Sequence, residues 1–209
     1  MADFEKALVV THIVFRKAPP YDALEGPYSS VCNSLKSSVD EVLTCQIPIT
    51  GFKESVIHGE WEKTHQLKIP TILGEIPVVK YLVDIFIVII FAVVFSLKNK
   101  DKRKLIVGVD PLSCFPLTFL KKIFGFKLVF YSVDFNHNRF QNRLMQKLYE
   151  KADEFSTRFS NQTWVVCQSL KDYKEQNFKV NSIYIPNSSI FNAKFYLKGK
   201  KQKTGNKMA

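Results

Sequence analysis

The sequence contains no CxxC pair, no GxGxxG and no GxxxxGK[ST]. Without either glycine motif there is no dinucleotide or P-loop phosphate fingerprint. The four cysteines, Cys32, Cys45, Cys114 and Cys167, lie far apart in apolar surroundings such as Val165-Val166-Cys167. They read as reduced core thiols of a cytosolic protein, and no zinc site is expected. His12, His58 and His65 show no ligand spacing; His12 reads as a strand residue and the other two as surface residues. No metal is expected. The opening Met1-Ala2-Asp3-Phe4-Glu5-Lys6 lacks a basic n-region, so no signal peptide is expected. There is no internal repeat.

What is present is a chain of 209 residues, 46% hydrophobic and 23% charged, an ordinary globular balance. The length suffices for a good core, but not for two α/β domains of about 150–200 residues each. The net charge of +11 is unevenly spread. Lys198 to Ala209 holds five lysines and no acid, and Lys98 to Lys104 carries a net +4. Subtracting both from +11 leaves +2 for the rest, a nearly neutral body with two basic patches. A nucleic-acid binder would be basic more uniformly, and no nucleic-acid partner is expected.

Short apolar runs alternate with amphipathic stretches. Strands are predicted over 7–15, 41–49, 104–109, 127–133, 163–167 and 182–185, with an edge strand or hairpin around Trp61. Helices are predicted over 26–39, 78–97, 111–124, 140–160 and 169–176. Continuous apolar strands separated by helices imply α/β architecture: one Rossmann-like, doubly wound, mostly parallel sheet with helices on both faces. The domain is expected to span 1–191, with 192–209 a Lys-rich linker or disordered tail.

Ligands of such sheets bind beyond the carboxyl ends of the strands. After the first strand, Gly26 would let backbone approach a ligand, and Tyr28 follows at the start of a helix; a plain loop and cap is the simpler reading. Asp110 precedes Pro111, the arrangement of an N-cap, or of a ligand contact. The densest polar cluster is Asp134, Asn136, His137, Asn138 and Arg139. Asp134 could accept a proton or a hydroxyl hydrogen bond, and Arg139 could hold a phosphate through its planar fork. The stretch Tyr81 to Leu97 carries one charge, Asp84, and runs into Lys98, Lys100, Lys102, Arg103 and Lys104. It reads as a helix buried on the sheet, with insertion at an anionic membrane surface and a true span as alternatives.

The segments IVGVDPLSCFPLTFLKKIFG (106–125), LVFYSVDFNHNRFQNRLMQKLYEKADEFSTRFSNQTWVVCQSL (128–170) and IYIPNSSIF (183–191) appear in a telling order. The run 105–189 resembles the N-terminal domain of GT-B glycosyltransferases of the family 4-like group. The most specific part is Asp134 to Phe140 with the pattern over 143–170; Pro27 departs from the family, where a second glycine is common after Gly26. The resemblance implies that this domain binds a sugar or lipid acceptor. A second Rossmann-like domain, expected to be missing from this chain, binds the nucleotide-sugar donor. Transfer occurs between them, usually without a metal and with no other cofactor. It further implies acceptor-side roles for Gly26, Asp110, Asp134 and Arg139, a domain junction at Asn187, and a catalytic base at Asp134. Tyr28, Asn136 and His137 belong to the same acceptor-side set.

The expected function is the acceptor-side half of a glycosyltransferase acting on a lipid-linked or polysaccharide acceptor, as in polysaccharide biosynthesis. The expected location is cytoplasmic and peripheral on the inner membrane face, with a donor-domain chain as partner. The alternative is a noncatalytic membrane-recruitment subunit of a split glycosyltransferase.

Overall fold

The computed structural model describes residues 4–13, 27–48, 55–61, 63–69, 77–136 and 139–186. The expectations placed on Gly26, His137, Asn187 and the tail 192–209 lie outside the described residues.

Eight strands form one sheet: β1 (Lys6–Ile13), β2 (Glu41–Pro48), β3 (Ser55–Trp61), β4 (Lys63–Ile69), β5 (Lys104–Val109), β6 (Lys127–Ser132), β7 (Gln162–Val165) and β8 (Ser182–Tyr184). Their order is β4-β3-β2-β1-β5-β6-β7-β8. Six strands from β2 to β8 run parallel, and β3 and β4 add an antiparallel hairpin at one edge. The helices are α1 (Pro27–Lys36), α2 (Pro77–Lys98), α3 (Pro111–Phe124), α4 (Arg143–Phe159) and α5 (Gln168–Phe178). The fold is therefore α/β and Rossmann-like, as the apolar strand pattern implies. From β1 the chain first moves outward to β2, then returns to β5 on β1's other side, so the strand order reverses between β1 and β5. In folds of this kind such a reversal is where the ligand crevice lies, beyond the carboxyl ends of these two strands.

Side chains alternate across β1, and the two faces feed two cores. Leu8 and Val10 join Ile106, Leu128 and Phe130 under α2 and α3. Ala7 and Val9 join Val107, Val129 and Tyr131 under α1. Gly108 is required by the first layer: a Cβ there would lie 2.7 Å from the Cα of Cys114, so α3 approaches β5 more closely than any side chain allows. The end of α3 is set by Gly125, left-handed at φ 67°, whose N–H donates to the Lys121 carbonyl.

Three expectations need correction. Cys32, Cys45 and Cys114 are buried, but β7 ends at Val165, and Cys167 is exposed at the N-terminus of α5. Lys104 belongs to the buried first position of β5, flanked by β1 and β6, and is not available to a membrane surface. The long helix starts at Arg143 rather than Phe140, because Asn142 caps it by accepting from the backbone N–H groups of Leu144 and Met145.

Candidate functional site

At the crevice, two isolated charges and a histidine from three apolar segments meet. His12 comes from the end of β1, Asp84 from α2, and Asp110 from the turn after β5. The His12 side chain is only 5% exposed. Its Nδ1 lies 3.0 Å from Asp110 Oδ2 and 2.9 Å from Ser113 Oγ, and its Nε2 lies 3.3 Å from Asp84 Oδ2. Lys80, one helical turn before Asp84, donates to the same Asp84 oxygen. Burial alone would depress the imidazole pKa; Asp110, then Asp84, overcome this and push it up to about 9. His12 is thus an imidazolium at neutral pH, and it holds the Asp110 carboxyl below its ordinary value against the opposing effect of burial.

Asp110 is occupied on both oxygens. Oδ1 accepts from the N–H groups of Leu112 and Ser113, and Oδ2 accepts from the His12 N–H, the His12 ring and the Ser113 hydroxyl. It does this at φ 81°, in a region that L-residues rarely adopt. Both readings made for Asp110 therefore bear on one residue: it caps α3, and it sits at the crevice, but its lone pairs are spent inside the protein. The network is also unsuited to a metal. Asp110 and Asp84 lie on opposite edges of the imidazole and cannot converge on one ion, and the Lys80 ammonium already neutralises Asp84.

The open part of the rim follows β6. Arg139 Nη1 donates to both oxygens of Asp134, at 3.2 and 3.3 Å, and to the Tyr149 hydroxyl at 3.1 Å. Its guanidinium lies over the Tyr149 ring, 5.0 Å from the centroid. Burial opposes its charge, but Tyr149 and Asp134 raise the Arg139 pKa. Burial raises the Tyr149 phenol, with Arg139 pulling the other way. The Asp134 side chain is 62% exposed. Asn136 is exposed, and its carbonyl accepts the Arg139 N–H and the Gln146 amide. Phe140 contacts both Tyr81 and Tyr149 edge-on, with centroids 5.7 Å apart in each case. Phe135 stacks on Tyr149 and Tyr173. Aromatic faces thus flank the exposed carboxylate and guanidinium.

The fold gathers Asp110, Asp134, Asn136 and Arg139 at one end of the sheet, over β5 and β6. Tyr28 stands apart on the other layer, where its hydroxyl accepts from the Gln46 amide at 3.1 Å. Of the basic patch, Lys98, Lys100, Lys102 and Arg103 are exposed, but Lys102 and Arg103 are paired with Glu5. The residues that sequence reasoning missed are His12, Lys80 and Ser113. A signal existed: an ionisable group inside an apolar run is costly unless paired, and His12, Asp84 and Asp110 each interrupt such a run. Asp84 with Lys80 at i−4 was the legible half of that pairing.

No protein-family model matches the chain, and no curated protein matches it either.

Proposed function

We propose that this protein is the acceptor-side half of a glycosyltransferase, with the acceptor held at the rim formed by Asp134, Asn136, Arg139 and Phe140. The observation that carries the reading is the juxtaposition of an exposed carboxylate, a guanidinium and aromatic rings after β6, one strand beyond the strand-order reversal, at the carboxyl end of an open parallel sheet. Sugar hydroxyls suit the carboxylate and the Asn136 amide, and sugar faces suit the partly exposed Phe135 and Phe140, which pack on the buried Tyr149. Among the described residues the Arg139 side chain gives hydrogen bonds only from Nη1, which leaves its other N–H groups for the phosphate of a lipid-linked acceptor. In this reading Asp134 takes the proton of the acceptor hydroxyl as that oxygen attacks the anomeric carbon and the nucleoside diphosphate leaves. His12, Asp84 and Asp110 act behind the rim as positioning residues that lock β1, α2 and α3 together. The described residues form one Rossmann-like sheet, so the donor site belongs to another domain, on this polypeptide or on a partner.

The test is binding by the full chain. Calorimetry with UDP- and GDP-sugars should give no heat. An NMR titration with a water-soluble alkyl phospho-sugar should move the Asn136, Arg139 and Phe140 resonances, and Arg139→Ala should weaken it about 10-fold or more. Tight nucleotide-sugar binding, or no response to the phospho-sugar, would sink the proposal.

A second reading is a noncatalytic subunit that recruits a separate catalytic chain to a membrane. It is favoured by the closure of the buried network, in which the Asp110 carboxylate has no lone pair left for a ligand. Co-purification with a donor-domain protein, with transfer activity unchanged by Asp134→Ala, would select it.

A further inference from the structure

We infer that the outer face of α2, α3 and α4 is a seat for an anionic phospholipid bilayer, on which the protein lies without spanning it. The inference stands independently of the sugar-transfer reading. α2 is apolar on all sides, and such a helix ordinarily has apolar surroundings on all sides. Its inner half has them: Ile87, Val88, Ala92 and Phe95 are in the core with β1, β2 and β5. Its outer half does not: Leu82, Phe86, Ile90 and Leu97 are each more than half exposed. The surface continues across α3, where Phe119 and Ile123 are exposed, Ile123 to 74%. From there it reaches α4, where Phe155 stacks on Phe119 at 6.0 Å and touches Phe159 at 4.7 Å. Between α2 and α3 the seam is filled by the half-buried Phe91, Leu120 and Phe124, so the three helices present one apolar face.

Charge selects the occupant. Lys98 and Lys100 follow the outer stripe of α2, Lys121 and Lys122 lie in the last turn of α3, and α3 holds no acid. A second copy docked through the same face would bring no acidic residue of α3 to these lysines. Anionic headgroups would pair with them while acyl chains received the phenylalanines, the division of labour of an interfacial helix surface. Spanning is opposed by the Lys80–Asp84–His12 contacts, which tie α2 to β1 and α3.

Flotation of the full chain with vesicles should show recovery with phosphatidylcholine containing one-third phosphatidylserine, and several-fold less with phosphatidylcholine alone. Phe86→Ser/Ile90→Ser/Phe119→Ser/Ile123→Ser should abolish flotation while the circular dichroism spectrum is kept. Lys121→Glu/Lys122→Glu should weaken binding to the anionic vesicles by about 10-fold or more. Should the serine variant fold poorly, Phe119→Trp replaces it: the emission of the introduced indole should shift to the blue with anionic vesicles and be quenched by brominated acyl chains. The inference is overturned if the native chain stays unbound, if the serine variant floats equally, if the emission of the Phe119→Trp variant does not move, or if the native chain is a dimer that the serine variant makes monomeric.

Discussion

His12 is flanked on its two ring edges by buried carboxylates, and its stability contribution has a defined sign. Its folded pKa is raised from 6.5 to about 9, so the contribution is complete below pH 6.5 and is lost as pH rises through 9. Unfolding free energy from urea titrations should fall by about 2–3 kcal/mol between those limits. Flat stability across that window would show that the imidazole is neutral in the folded protein. His12→Gln should cost about 3–5 kcal/mol at pH 6, because it leaves the buried Asp110 carboxylate without its cationic partner. A second buried pair sits elsewhere. Lys174 and Asp153 are both fully buried, Lys174 also contacts the Thr157 hydroxyl, and its ammonium lies 4.8 Å from the Phe130 ring centroid. Burial lowers the Lys174 pKa, with Asp153 opposing. Lys174→Met alone should cost about 3–5 kcal/mol, whereas Lys174→Met with Asp153→Leu should recover most of it. Additive losses in that double-mutant cycle would deny the coupling.

At the scale of elements, two glycines of α3 and its neighbouring strand make contrasting demands. Gly108→Ala drives a methyl into the backbone of Cys114 and should cost about 2–3 kcal/mol. Gly125→Ala meets no atom within 4 Å and strains only its left-handed backbone, so about 1 kcal/mol is expected. Thermal melts of the two variants should rank in that order. The element boundaries were largely legible in the sequence. β5 and α3 fall where the apolar run and the Asp110-Pro111 cap place them, because local hydrophobic pattern and cap chemistry agree there. The amphipathic pattern predicts helix over 140–142, yet Asn142 takes the cap and Phe140 packs on Tyr81 and Tyr149. The apolar run predicts strand through Cys167, although β7 pairs with β6 only through Val165. In both cases a long-range contact or a side-chain cap ended an element that periodicity alone would have extended.

At the scale of the whole molecule, the charge of +11 divides by position. Part of the 98–104 patch is internal: Lys104 is buried, and Lys102 and Arg103 face Glu5. Exposed pairs of this kind contribute little to stability. If the full chain is retained on duplex DNA at low salt, the retention should vanish above about 0.2 M salt and on deletion of 198–209. Specific binding that survives both treatments, measured by fluorescence anisotropy, would restore a nucleic-acid reading.

The sequence by itself determined the α/β class, the position of nearly every strand and helix, and the clustering of Asp134, Asn136 and Arg139, since each depends on near neighbours along the chain. Only the tertiary structure decided that His12, Asp84 and Asp110, separated by 72 and 98 residues from His12, form one charge network. It also decided that half of α2 faces the core and half faces outward. Both outcomes depend on the strand order, which brings β1 beside β5 and lays α2 across them, and strand order is a property of pairing between segments that no local pattern encodes.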